Sequence, residues 1–418
     1  LNLPFFTARD PDLLRADTGR DPLGLLPVWA ELGRRLVPII AGPVTRLDGI
    51  KAVLVIHYVH ARLFERDGAS AGVSFRRCFR LMEGLLEAYL HENGRHCFGT
   101  RRFASGTEFT VRRDDSSTAV NGLYQYYRGT CGRAGLLDNG MLSPEASDVL
   151  AAEWNKGADK ALRSELLDCA KDGRRTLHPG ALLNAEPLLR RSLDDCFESA
   201  ALNTLLFDRL FGKEHHSALA EHCSRLRKEP VAEDHERYGP VRNLVERLSA
   251  TLATADADAA RPLAGQLEYV RLCEPFLVTV QDSFDYLLRS SATRIRTVAA
   301  DLAAFGMPIR VRAQDFLRLE DVVKNPRSQQ LMSVARAANE GVSPFLQAVL
   351  AHHSTVAVER GRDPMARLEG SLVLSLTAPD RSTGAILKRL ENGFPWDNGY
   401  YLSTAGGLYA QAQKACRG

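Results

Sequence analysis

Residues 47–65, LDGIKAVLVIHYVHARLFE, put Ile50, Val53, Leu54, His57, Ala61 and Phe64 on one face of a helix. Apolar spacing of this kind recurs along most of the chain. Residues 27–37 place Trp29, Leu32 and Leu36 on one face, with Pro27 near the helix start. Cys78, Met82, Leu85, Leu86 and Tyr89 mark a third amphipathic helix. Residues 145–250, 263–304 and 328–360 also read as mainly helical. A 3.6-residue period sustained this widely leaves little chain for sheets. The expected fold class is mainly α: a multi-lobed helical protein with small β-hairpins.

The non-helical signals are short. The spacing in GTRRFASGTEFTVRR (99–113) alternates around Phe109 and Val111, with Ser105-Gly106 as a turn, and predicts a hairpin. A helix over 117–134 follows, capped at Ser116 or Ser117, with Val120, Leu123, Tyr124, Tyr127, Cys131 and Ala134 on its apolar face. In GLLDNGML two apolar runs flank Asp138-Asn139-Gly140, a second hairpin. Ser143 then reads as an N-cap, with Pro144 at the first helical position and Glu145 in the first turn, where a carboxylate suits the helix dipole. MPIRVR (307–312) and SLVLSL (371–376) are expected as short strands, and RLEDVVK (318–324) as an amphipathic helix. Residues 251–262, TLATADADAARP, fit a linker or an exposed helix equally.

A chain of 418 residues exceeds one small core, so two or three domains are expected. The texture places them at 1–155, 156–255 and 256–418. Apolar residues at 45% and charged residues at 25% exclude a disordered chain. The net charge is only +3, so any polyanion surface must be a local patch. Nine Lys stand against 45 Arg, which fits GC-rich coding and also supplies phosphate-binding forks. The eight cysteines are scattered, with no CxxC pair, and the first residues lack a basic, then apolar, secretory pattern. No run of eighteen apolar residues occurs. A cytoplasmic protein with reduced thiols and no membrane partner is expected.

Catalytic signatures are sparse. His57 and His60 stand three apart near Glu65, not at the four-residue zincin spacing, and His57 falls on the apolar face, so it reads as a core histidine. HENGRHC offers His91, Glu92, His96 and Cys97 without a second pair at finger distance. KEHHSALAEHC offers His215, His216, His222 and Cys223 without carboxylate partners and reads as a polar helix surface, and His352-His353 is weaker still. No nucleophile elbow, P-loop or dinucleotide fingerprint occurs. No cofactor is expected, and the chain leans away from being an enzyme.

The remaining constellation is basic. Arg76, Arg77, Arg80, Arg95, Arg101, Arg102, Arg112 and Arg113 face only Glu83, Glu87, Glu92 and Glu108, and Arg128 and Arg133 follow beside Tyr124, Tyr126 and Tyr127. Arginines grip phosphate, and a tyrosine bonds phosphate or stacks on an unpaired base. Tyr124 and Tyr127 lie on the apolar face, which leaves Tyr126 as the contact. The expected nucleic-acid-binding residues are Arg95, Arg101, Arg102, Arg112, Arg113, Tyr126, Arg128 and Arg133. The order helix, GLL, turn, ML, helix resembles the end of a winged-helix module, near 95–155; Gly129 and Gly132 depart from a good recognition helix. DPLGLLPVWAELGRRLVP, TRLDGIKAVLVIHY, YYRGTCGRAGLL and AVLAHHSTVAVERGRDP resemble uncharacterised, largely helical proteins of bacterial anti-phage defence islands. That resemblance implies a helper or sensor subunit working beside a nuclease, helicase or ATPase. With the clustered arginines, the expected function is a non-catalytic defence component that binds nucleic acid, DNA before RNA, and a partner protein. A metal-dependent hydrolase or nuclease using His91, His96 or the His215–His222 cluster, and a pure protein–protein scaffold, are the alternatives.

Overall fold

The computed structural model describes residues 21–40, 43–65, 74–95, 110–112, 123–212, 219–224, 239–253, 260–375, 381–391 and 395–417. In chain order the helices are α1 (Leu26–Leu36), α2 (Leu47–His60), α3 (Phe75–Glu92), α4 (Arg128–Arg133), α5 (Pro144–Glu153), α6 (Ala158–Lys171), α7 (Pro179–Ala185), α8 (Pro187–Glu198) and α9 (Ala200–Phe211). They continue as α10 (Gly239–Ala253), α11 (Ala260–Leu287), α12 (Ile295–Asp301), α13 (Gly306–Leu317), α14 (Pro326–Glu340), α15 (Val342–Glu359), α16 (Thr383–Glu391) and α17 (Leu402–Arg417). Two antiparallel hairpins join them: β1 (Leu137–Asp138) with β2 (Met141–Leu142), and β3 (Ala366–Glu369) with β4 (Ser371–Leu374). The fold is mainly α with small hairpins, as the periodicity predicts. No helix of the described residues is long and apolar enough to cross a membrane.

Each of two compact units is built from two stretches of sequence, Leu1–Arg35 with Val231–Asn398 and Leu36–Pro230 with Gly399–Gly418. These limits do not coincide with those expected at 155 and 255.

In the unit of 36–230 and 399–418, α2 is enclosed on every side. Ile50, Ala52, Val53, Leu54, Val55, Ile56 and Val59 are all fully buried, as befits a helix apolar around its circumference. Lys51 is buried with them, and its Nζ donates to the Phe197 carbonyl at 2.5 Å. Gly49 permits a close approach: a Cβ there would stand 2.2 Å from the Tyr127 ring. Against α2 packs α3, whose Cys78, Met82, Leu85, Leu86 and Tyr89 are buried as expected. It ends at Gly94 (φ 64°), where the Arg95 N–H donates back to the Leu90 carbonyl at 2.8 Å. Val111 makes one antiparallel bridge to Leu177; the rest of the hairpin expected over 99–113 lies outside the described residues. At the far end of the chain α17 returns to α9, with Tyr409 against Phe207 and Phe211.

The unit of 21–35 and 231–398 centres on α11. Pro275 removes one ladder donor from its interior, and Thr279 Oγ1 donates to the Pro275 carbonyl at 2.7 Å. Arg312 is buried and donates to Thr279 Oγ1 at 2.9 Å and to the Leu390 carbonyl at 3.0 Å. Fully buried Asp282 accepts Arg389 Nε at 3.0–3.1 Å, while Arg389 also grips Asp397 at 2.7 Å. Glu274 accepts the Trp29 indole and the Asp397 amide, both at 2.6 Å. His352 and His353 are buried and bond the Leu23 and Pro22 carbonyls at 2.7 and 2.9 Å. They pin the start of the described chain rather than forming a site.

Two expectations fail. MPIRVR is not a strand but the first turns of α13. Its alternation is real, yet Ile309, Ala313 and Phe316 form a buried helical stripe and leave Met307 and Val311 exposed. Pro308 sits in the first turn, where the N–H it lacks would have had no intrahelical acceptor. RLEDVVK is not a helix. α13 stops at Leu317, and the segment runs as turns to Asn325, which caps α14 by accepting the Arg327 N–H at 2.7 Å. Pro326 disfavours a helical conformation for the residue before it.

Candidate functional site

The site begins with the local chemistry of residues 123–153. Glu83, buried on α3, accepts the Leu123 N–H at 2.5 Å and fixes a π-helical turn over Leu123–Tyr127, which leads into α4. The tip of the β1–β2 hairpin carries Asn139 at φ 47° and Gly140 at φ 84°, the two positive values of a type I′ turn. Ser143 caps α5 by accepting the Ala146 N–H at 3.3 Å, with Pro144 first in the helix, as the sequence predicts. Of the apolar face expected over 117–134, Leu123, Tyr127, Cys131 and Ala134 are buried and Tyr124 is half-buried, while Val120 lies outside the described residues.

These elements wall a depression of about 650 Å³ with the end of α2. Its lining includes His57, His60, Arg62, Phe75, Arg128, Asn139, Ser147, Asp148 and Ala151. The His57 and His60 rings each lie 4.7 Å from the Phe75 ring. The Arg128 guanidinium sits 5.6 Å from the Phe75 centroid and 5.2 Å from that of Tyr124. Such cation–π contacts are worth about 0.5–2 kcal/mol each. Arg128 makes no hydrogen bond among the described residues, and its buried Nε has no partner. His57 Nε2 and Arg62 Nε are buried and unpartnered in the same wall. An unmet buried polar group costs on the order of 1–3 kcal/mol. Burial, seconded by the Arg128 charge and opposed by a backbone hydrogen bond at Gly140, lowers His57 to about 4, so it is a neutral imidazole.

Arg62 also lines a second depression of about 590 Å³, together with Lys156, Asp159, Lys160, Arg163, Asp168 and Lys171. Asp159 anchors Arg62 and also accepts the Trp154 indole at 2.8 Å. Around the two depressions stand six cations, Arg62, Arg128, Lys156, Lys160, Arg163 and Lys171, against three carboxylates, Asp148, Asp159 and Asp168. Lys156 and Lys160 are exposed and form no ion pair among the described residues.

The expected binding residues fare unequally. Arg128 lines the depression. Arg95 is committed elsewhere, to Asp48 at 3.3 Å and Glu198 at 3.1 Å, with its guanidinium over Phe197. Arg112 donates to Thr176 at 3.0 Å, and Arg133 to the Ile39 carbonyl at 3.0 Å. Tyr126 is half-buried. Arg101, Arg102 and Arg113 lie outside the described residues, as do His96, His215 and His216. His57 is the buried core histidine expected, whereas Cys223 is buried in a segment expected to be a polar helix surface. No group of three His, Cys, Asp or Glu that could hold a metal occurs among the described residues.

Sequence reasoning missed Arg62, Asp148 and the lysines. Their signal was present: Lys156, Lys160, Arg163 and Lys171 recur at helical spacing in KGADKALRSELLDCAK, and three of the chain's nine lysines fall there.

Fold and site together define a mainly helical protein with a basic, aromatic-lined groove in one unit. Compared with known protein families, curated proteins and solved structures, the chain matches none.

Proposed function

We propose that the chain is a non-catalytic, nucleic-acid-binding component of a bacterial anti-phage defence complex, with DNA as the polymer and a nuclease, helicase or ATPase as partner. The observation that carries the binding half is that the two depressions share Arg62 in their walls and together present six cations against three carboxylates to a phosphate backbone. This interface keeps Arg128 and the hairpin tip from the winged-helix-like segment and replaces the other arginines by Lys156, Lys160, Arg163 and Lys171. The defence context and the partner rest on the sequence resemblance alone.

Anisotropy of labelled short DNA between about 50 and 200 mM salt tests the reading. Each lost phosphate contact flattens the slope of log K against log salt by about 0.7 for single strands and 0.9 for duplex. Lys156→Ala/Lys160→Ala is therefore expected to flatten it by about 1.4 to 1.8. An unchanged slope defeats the proposal. Co-purification with a neighbouring gene product that survives nuclease treatment, with no DNA binding, would favour the scaffold. A stoichiometric tightly bound metal would favour the hydrolase.

A further inference from the structure

We infer that the depression at His57, His60 and Phe75 receives an unpaired nucleobase, so that the groove binds a single strand in preference to duplex. The inference deepens the nucleic-acid reading and rests on it.

Five observations converge. The depression, at about 650 Å³, has the size of a small-ligand pocket. Half-buried Phe75, with both histidine rings at 4.7 Å, gives the depression an aromatic wall, and stacking on aromatic side chains tolerates any base. Arg128 is held over Phe75 and Tyr124 by ring faces alone, so it can turn its fork to a phosphate without breaking a hydrogen bond made by the described residues. The second depression shares Arg62 with the first and adds Lys156, Lys160, Arg163 and Lys171, cations for the backbone that leaves the stacked base. A paired base keeps its faces inside the duplex and cannot enter such a pocket without being unstacked. The wall also holds unpartnered buried nitrogens on His57, Arg62 and Arg128, which a base edge and a phosphate could satisfy once the side chains turn.

The test fills the pocket without removing a cation. Ser147 and Ala151 lie four apart on α5 and both line the depression, so Ser147→Leu/Ala151→Leu blocks it with good helix formers. Binding is read with oligonucleotides carrying 2-aminopurine, single-stranded or annealed. Wild type is expected to prefer the single strand by about tenfold or more, with a change in 2-aminopurine emission, since stacking one base is worth about 5- to 150-fold. The filled variant is expected to lose that preference and the emission change while keeping the salt slope. Equal wild-type affinity for single strand and duplex overturns the inference, as does a filled variant that retains the preference; in both cases a salt slope that falls in Lys156→Ala/Lys160→Ala leaves the groove itself standing. No binding of either form overturns both readings. Competition by deoxyadenosine monophosphate separates two sources of the same chemistry. Displacement only at concentrations far above that of the oligonucleotide supports the strand; displacement at comparable concentration overturns it in favour of a free nucleotide.

Discussion

Gly49→Ala is the substitution that most sharply tests how the site is held. The new Cβ would stand 2.2 Å from Tyr127 Cε1, 2.6 Å from Cζ and 2.7 Å from Cδ1. Ordinary contact needs about 3.5–4.0 Å, so ring and helix must separate by more than an ångström. Neither has room, because Tyr127 and the surrounding α2 residues are fully buried. Overpacking of this kind costs about 1–3 kcal/mol. Hydrogen exchange read peptide by peptide over 47–60 and 123–133 should therefore accelerate about 5- to 150-fold where exchange follows opening of this core. Arg128 directly follows Tyr127, so the same variant should weaken oligonucleotide binding. Gly132→Ala is the control: its Cβ meets nothing within 4 Å, and Ala is favoured over Gly in a helix by about 1 kcal/mol. Tyr127→Leu added to Gly49→Ala should relieve part of the cost, a coupling that independent sites do not show. Unchanged exchange in Gly49→Ala, or strict additivity with Tyr127→Leu, would refute the packing argument.

Other expectations are more local. Arg389→Met leaves Asp282 buried without its main partner and should cost about 3–5 kcal/mol in urea unfolding; adding Asp282→Asn should recover part of it. His57 and His352 are both lowered to about 4 by burial, so the folded state holds them neutral while the unfolded chain titrates near 6.5. Their contribution is complete above about pH 6.5 and is lost as pH falls towards 4, by about 3 kcal/mol each; a urea midpoint flat from pH 7 to 4 would contradict this. Burial holds the Cys78, Cys131, Cys196 and Cys223 thiols at about 12, whereas Cys416 is exposed. Ellman's reagent should modify Cys416 ahead of these four in the native protein, and Cys416→Ser should remove that phase.

What the sequence made legible was local. The Asn139-Gly140 turn and the Ser143-Pro144 helix start follow from backbone chemistry within four residues, and both stand as read. The apolar stripes of α1 and α3 were equally readable, since a 3.6-residue period survives any tertiary arrangement. MPIRVR shows the limit: a period of two and a helical stripe coexist in one segment, and packing of Ile309, Ala313 and Phe316 decides between them. For α2 the sequence suggested one buried face, yet the partners that enclose the others come from distant segments. The discontinuous units belong to the same class, because nothing local announces that α17 returns to α9. The groove was half legible. Arg128 and His57 stood out singly, and the Lys156–Lys171 spacing was visible, but Arg62 joins them only through the fold.

Photo-crosslinking addresses the central claim most directly. A single-stranded oligonucleotide bearing 4-thiothymidine is bound to the full chain, irradiated and mapped by peptide mass spectrometry. The account predicts adducts in peptides holding Tyr58, His60 and Phe75, and their loss in Ser147→Leu/Ala151→Leu. Adducts confined to residues 239–398, or undiminished in the filled variant, would contradict it.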